Sequence, residues 1–152
     1  MLVALLFSMV PNIKAQEVSE ADKAVSQLVD KYESVPGVEC ITAAKGNGLD
    51  LIKMMFNKQF GKSFMKGVTK IIIIEYSDAS DEVCQSVHKD LDHFLSFLEE
   101  FNFGDEKKFS ENKYMRCFAS GVDSSSLSDF VIALENDESK MVMYMAGKIV
   151  VE

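Results

Sequence analysis

Lys70 to Tyr76 reads Lys-Ile-Ile-Ile-Ile-Glu-Tyr, and no other stretch restricts the fold as strongly. Four consecutive β-branched side chains lose rotamer freedom in a helix and pack well on a pleated surface. A strand alternates its side chains between two faces, so an unbroken isoleucine run asks for cover on both. The run is short and flanked by turn formers, which argues against a buried helix. A central strand is therefore expected here, with other elements arranged around it.

Those elements can be read on either side. Ser19 precedes Ala21, Ala24, Val25, Leu28, Val29 and Tyr32, whose spacing of three and four makes one helical stripe ending at Pro36-Gly37. Val38 to Ala44 is a short strand, followed by a Gly46-Asn47-Gly48 turn. Leu49 to Phe60 is apolar on more than one side, which suits a helix in a partly enclosed position. A long helix is expected from about Asp81 to Phe101, burying Val83, Val87, Leu91, Phe94, Leu95 and Leu98. Gly104 to Asn112 reads as a polar surface loop and Tyr114 to Ser120 as a strand. Asp129 to Glu135 and Met141 to Lys148 pair as a β-hairpin across Asn136-Asp137-Glu138-Ser139. The order predicts an α+β two-layer sandwich: a mixed sheet of about five strands, helices mainly on one face, and a C-terminal hairpin. Residues 17–152 show no repeat or linker and read as a single domain.

The first sixteen residues differ. Leu2 to Val10 is an apolar run closed by Pro11, with Ala15-Gln16 before the charged Glu17 to Glu20. This is a signal-peptide layout for residues 1–16, lacking only the basic residue that precedes such a run. The run is shorter than the roughly 20 residues that span a bilayer. No cysteine follows it to carry a lipid, the first being Cys40. The expected product is an exported protein, periplasmic or extracellular in a Gram-negative bacterium.

Charge narrows the partners. Lys plus Arg number 16 against 24 Asp plus Glu, and removing residues 1–16 takes one lysine away, leaving −9. Such a chain repels phosphate backbones, and its single arginine, Arg116, makes no basic stripe. Nucleic acid is excluded as a partner, and no segment is long enough to be a membrane span. Three cysteines are too few for a disulfide scaffold, although a Cys40–Cys117 bridge is possible if their strands are neighbours.

Candidate chemistry is thin. Cys84, His88 and Asp92 recur every fourth residue on the long helix, and all three side chains can ligate zinc. A single helical row separates them by about 6 Å per step and does not converge on an ion. Cys84 and His88 could form a nucleophile–base pair, but Asp81 and Glu82 oppose a thiolate and no oxyanion hole is identifiable. Gly61-Lys62-Ser63 resembles the end of a phosphate loop, yet Phe56 stands where the first glycine belongs. No catalytic residue, metal ligand or cofactor is assigned. Met141, Met143 and Met145 share one face of the last strand, and Phe97 and Phe103 fall off the helical stripe. Burial is the simpler account, the methionines beneath the helices and the phenylalanines under a loop that folds back. The alternative makes these five the candidate interaction patch.

Layout and soft motifs together resemble domain-of-unknown-function family 4252 (DUF4252), small exported proteins of Gram-negative bacteria. The matching stretches are Lys31 to Val38, Leu51 to Met55, Lys66-Gly67-Val68, and Asp129 to Leu134 with Met143 to Ile149. The resemblance implies export and an α+β fold, and it brings no activity or site residue. The expected function is a non-catalytic module binding a protein or envelope component. The alternative is a small-ligand carrier or enzyme with a pocket between sheet and helices, lined by groups such as His88, Tyr114 or Tyr144.

Overall fold

The computed structural model describes residues 18–46, 48–101, 115–122 and 125–151. Along the chain these form α1 (Glu20–Tyr32), β1 (Glu39–Ala44), α2 (Leu49–Phe60), α3 (Lys62–Lys66), β2 (Val68–Glu75) and α4 (Asp81–Leu95). Four more strands follow: β3 (Glu99–Phe101), β4 (Met115–Ser120), β5 (Ser126–Glu135) and β6 (Lys140–Val150). The α+β class and the closing β5–β6 hairpin are as expected, whereas the helices, expected mainly on one face, divide between both. The proposed signal peptide at 1–16, the polar loop, Phe103 and Tyr114 lie outside the described residues.

The strands form one six-stranded sheet in the order β1-β2-β6-β5-β4-β3. Every neighbouring pair runs antiparallel, where a mixed sheet was expected. The difference arises between β1 and β2. One helix there would carry the chain back along the sheet and deliver a parallel strand. Instead α2 and α3 meet at Gly61, whose φ of 87° turns the chain. β2 therefore starts at the end where β1 stops, with Ala44 opposite Lys70.

Alternation splits the isoleucine run between two faces. On the first face Ile72 and Ile74 join Phe118, Val131, Val142 and Tyr144 against the buried stripes of α1 and α4. Both helices are anchored by serine N-caps: Ser19 Oγ accepts from Asp22 N–H, and Ser80 Oγ from Val83 N–H. Tyr32 Oη and Lys31 Nζ, both of α1, each donate to Asp90 of α4 at 2.6 Å. On the second face Ile71, Ala119, Phe130, Met143 and Met145 pack with Leu49 of α2 and Phe64 and Met65 of α3.

Two further expectations need correction. The long helix ends at Leu95, because Ser96 closes it by donating N–H to Asp92 O and Oγ–H to His93 O. Residues 99–101, expected as its last turn, form edge strand β3 instead. The Cys40–Cys117 bridge is absent and all three cysteines are free. β1 and β4 have three strands between them. The pairings also place Cys40 on the first face, beside Ile74, and Cys117 on the second, beside Ile132.

Candidate functional site

The polar residues worth testing first are those that burial has forced together. Asp129 and Asp22 are the buried charged residues of the described chain, at 2% and 8% exposure. Asp129 lies where the β5–β6 register shifts, facing the N-terminus of α1. Its carboxylate accepts Tyr144 Oη–H at 2.5 Å, Ser19 Oγ–H at 2.9 Å, and the Ser120 hydroxyl. Asp22 takes Lys70 Nζ at 2.8 Å, while Tyr144 Oη, its proton committed to the shorter contact, stands 3.3 Å from Asp22 Oδ2. Burial first, and the Asp129 hydrogen bond second, push the Tyr144 phenol far above its usual range and keep it a donor. The cluster fastens α1 to the sheet. Its groups satisfy one another inside the fold, and a buried polar network satisfied in this way rigidifies the core.

The α4 row spreads from the core to solvent. Cys84 is buried, and its thiol lies 3.7 Å from Ala79 O with Lys140 Nζ 3.6 Å from the sulfur. His88 is half-buried, with Nε2 2.9 Å from Glu135 Oε2 but out of line for a hydrogen bond. Asp92 is exposed. Among the described residues no group of three or more His, Cys, Asp or Glu side chains is placed to hold a metal. The two half-buried thiols are poor nucleophiles. Burial raises Cys40 and lifts Cys117 to about 11, in each case aided by a nearby glutamate.

The apolar patch expected from the sequence is redistributed. Met143 and Met145 are core residues at 3% and 0% exposure, so alternating methionine here means packing beneath α2 and α3. Met141 is half-buried, and Phe97 is 40% exposed beside the His93 ring. Residues the sequence did not single out matter more. The second face runs in ranks across the sheet, fixed by the pairings. The rank Ala43–Ile71–Met145–Phe130–Ala119 is fully buried under α2 and α3. The next, Ile41–Ile73–Met143–Ile132–Cys117, is buried only at its centre, and Ile41 is 49% exposed. In the third, Met141, Leu134 and Met115 are all half-buried. Among the described residues apolar cover thus stops halfway along the strands. On the same side of the sheet, α2 turns Ile52, Phe56 and Phe60 inward and Leu51, Met54 and Met55 out to solvent. The partly enclosed position expected for this helix is what it has, closed on one side and open on the other.

Clefts formed by the described residues include two elsewhere. One of about 580 Å³ lies where the turn after α1 meets the end of β2, lined by Glu33, Pro36, Glu39, Glu75 and Asp78 among others. Another, about 160 Å³, sits between α1 and α4 beside Lys31, Asp90 and Phe94. Neither is lined by His88 or Tyr144. Among the described residues no helix is long and apolar enough to cross a membrane. Compared with family models, curated proteins and solved structures, the chain matches none.

Proposed function

We propose that this chain is an exported, non-catalytic binding module whose partner docks on the open half of the second sheet face. The observation that carries the reading is the interrupted cover. Among the described residues, this face is roofed by α2 and α3 at one end, while at the other Ile41 is exposed and Ile73, Leu134, Met141 and Met115 are half-buried. A contiguous apolar area on an otherwise highly charged chain is the usual mark of an interaction surface. The outward Leu51, Met54 and Met55 extend apolar character on that side. The periplasmic or extracellular setting and the likeness to family 4252 belong to the same proposal, resting on the Leu2–Val10 run and the motifs quoted above.

A small-ligand carrier or pocket enzyme draws less support. The space between the sheet and α1/α4 is occupied by buried side chains from Ala21 through Tyr144, and the clefts lie at its margins. The test is site-specific photo-crosslinking in the producing cell, with the photo-reactive residue at 141, at 115, or at exposed Gln85 on α4. Adducts from 141 and 115, lost on Ile73→Lys and absent from 85, are expected. Equal adducts from 85, or none from 141, overturn the reading.

A further inference from the structure

The open face is not uniform, and its asymmetry says what kind of partner fits. Followed across the sheet, its outermost rank runs Glu39, Glu75, Met141, Leu134, Met115. It is acidic over β1 and β2 and apolar over β6, β5 and β4. Glu39 and Glu75 stand directly opposite each other on adjacent strands, an arrangement of like charges that weakens a sheet. The acidic end continues into the cleft of about 580 Å³, which adds Glu33 and Asp78. Among the described residues none of these four carboxylates forms an ion pair; Glu75 only accepts the Ser77 N–H at 3.2 Å. A rim of unneutralised carboxylates beside an apolar strip, on a chain of net charge −8, attracts cations and repels anionic surfaces.

Resting on the docking reading above, we infer that the partner is a polypeptide segment with lysine or arginine clustered at one end and apolar side chains at the other. Its basic end lies over Glu39 and Glu75, and its apolar end over Met141, Leu134 and Met115. Five neighbouring strands at about 4.8 Å spacing make the rank about 19 Å wide, the reach of about six extended residues. A small amine would fill the acidic end and leave the strip bare. A second copy would bring the same carboxylates to the same face, since a two-fold interface pairs each patch with itself. Nucleic acid and anionic lipid are repelled by the rim.

The test selects a random-peptide display library on the full chain, then re-measures the winners on two variants. Glu39→Gln/Glu75→Gln keeps shape and removes charge; Leu134→Lys/Met141→Lys changes half-exposed positions and breaks the strip. The inference expects winners with Lys or Arg at one end and apolar residues at the other. Their affinity should fall about tenfold or more on the glutamine variant and on raising salt from about 50 to about 200 mM. It should vanish on the lysine variant. Winners lost on the lysine variant but lacking basic residues, or indifferent to the glutamine variant, overturn the inference and leave the docking reading standing. Winners that do not distinguish wild type from the lysine variant, or none at all, overturn both. A wild-type dimer in sedimentation that the lysine variant dissolves makes the occupant a second copy and overturns the basic partner.

Discussion

The two faces of this sheet are made by the same strands, and for four residues by a single amino acid, yet they end in different states. Ile72 and Ile74 are sealed under two amphipathic helices, while Ile73 between them stays half-open. What differs is the roof. α1 and α4 are long, capped, and cross-linked through Asp90, and α1 is fastened to the sheet by the Asp22–Tyr144–Asp129 cluster. α2 and α3 together roof only the end of the second face where Ile71, Met145 and Phe130 lie. Strand composition allowed both faces to be buried; helix placement decided which one was.

The contrast can be broken by substitution. The largest effect is expected where the short roof does its packing: Phe130→Ala, at a ring stacked edge-on to Phe60 and Phe64, should cost about 3–5 kcal/mol. The sharpest comparison uses neighbours in the isoleucine run. Ile72→Ala should cost about 2–5 kcal/mol, and Ile73→Ala about 1 kcal/mol or less. Equal losses in chemical denaturation would mean that the second face is closed after all. Next comes Tyr144→Phe, which takes one donor from buried Asp129 at nearly constant volume and should cost about 1.5–3 kcal/mol. A neutral outcome would leave the cluster no part in fastening α1.

The smallest effect concerns the link between α1 and α4. Burial opposes the Asp90 charge, but the Lys31 and Tyr32 donors together outweigh it, so its carboxyl lies below the ordinary value. A depressed folded pKa gives stability that is present above the unfolded value, about 3.9, and lost as pH falls through the folded one. Asp90→Asn should therefore melt slightly below wild type at neutral pH, the gap narrowing below about pH 3.9 and closing once pH passes below the folded Asp90 value. A gap persisting in acid would assign the loss to packing. Exposure of Lys31 keeps the neutral-pH effect small.

Much of this fold was legible in the sequence because its signals are local. The isoleucine run and the stripe ending at Tyr32 each lie within one element, and the closing hairpin joins two neighbours. The antiparallel order was not, because it depends on the turn at Gly61 between two helices. Nor was the end of α4: Leu95 and Leu98 continue the helical period, and only the Ser96 hydrogen bonds stop it. The polar cluster was hidden in plain residues. Asp22 reads as a first-turn acid favouring the helix dipole and Asp129 as the polar start of a strand, and only the fold brings them together. For the open face, alternation placed Met141, Met143 and Met145 together correctly. It could not tell which rank α2 would cover, and so could not separate two buried methionines from an exposed edge.

One pairing also bears on assembly. β2, the strand with the strongest local preference, lies between β1 and β6, and Ile72 meets Tyr144 across a loop of some seventy residues. Until β6 pairs with it, β2 has one edge bare. Such non-local pairing slows folding, because loop-closure entropy must be overcome before the contacts form. Meanwhile four isoleucines with free backbone donors and acceptors are a template for the wrong neighbour. Shortening the chain within β6 should consequently expose β2 and yield aggregates instead of a smaller domain. The last strand is thus both the lid of the core and the guard of its stickiest segment.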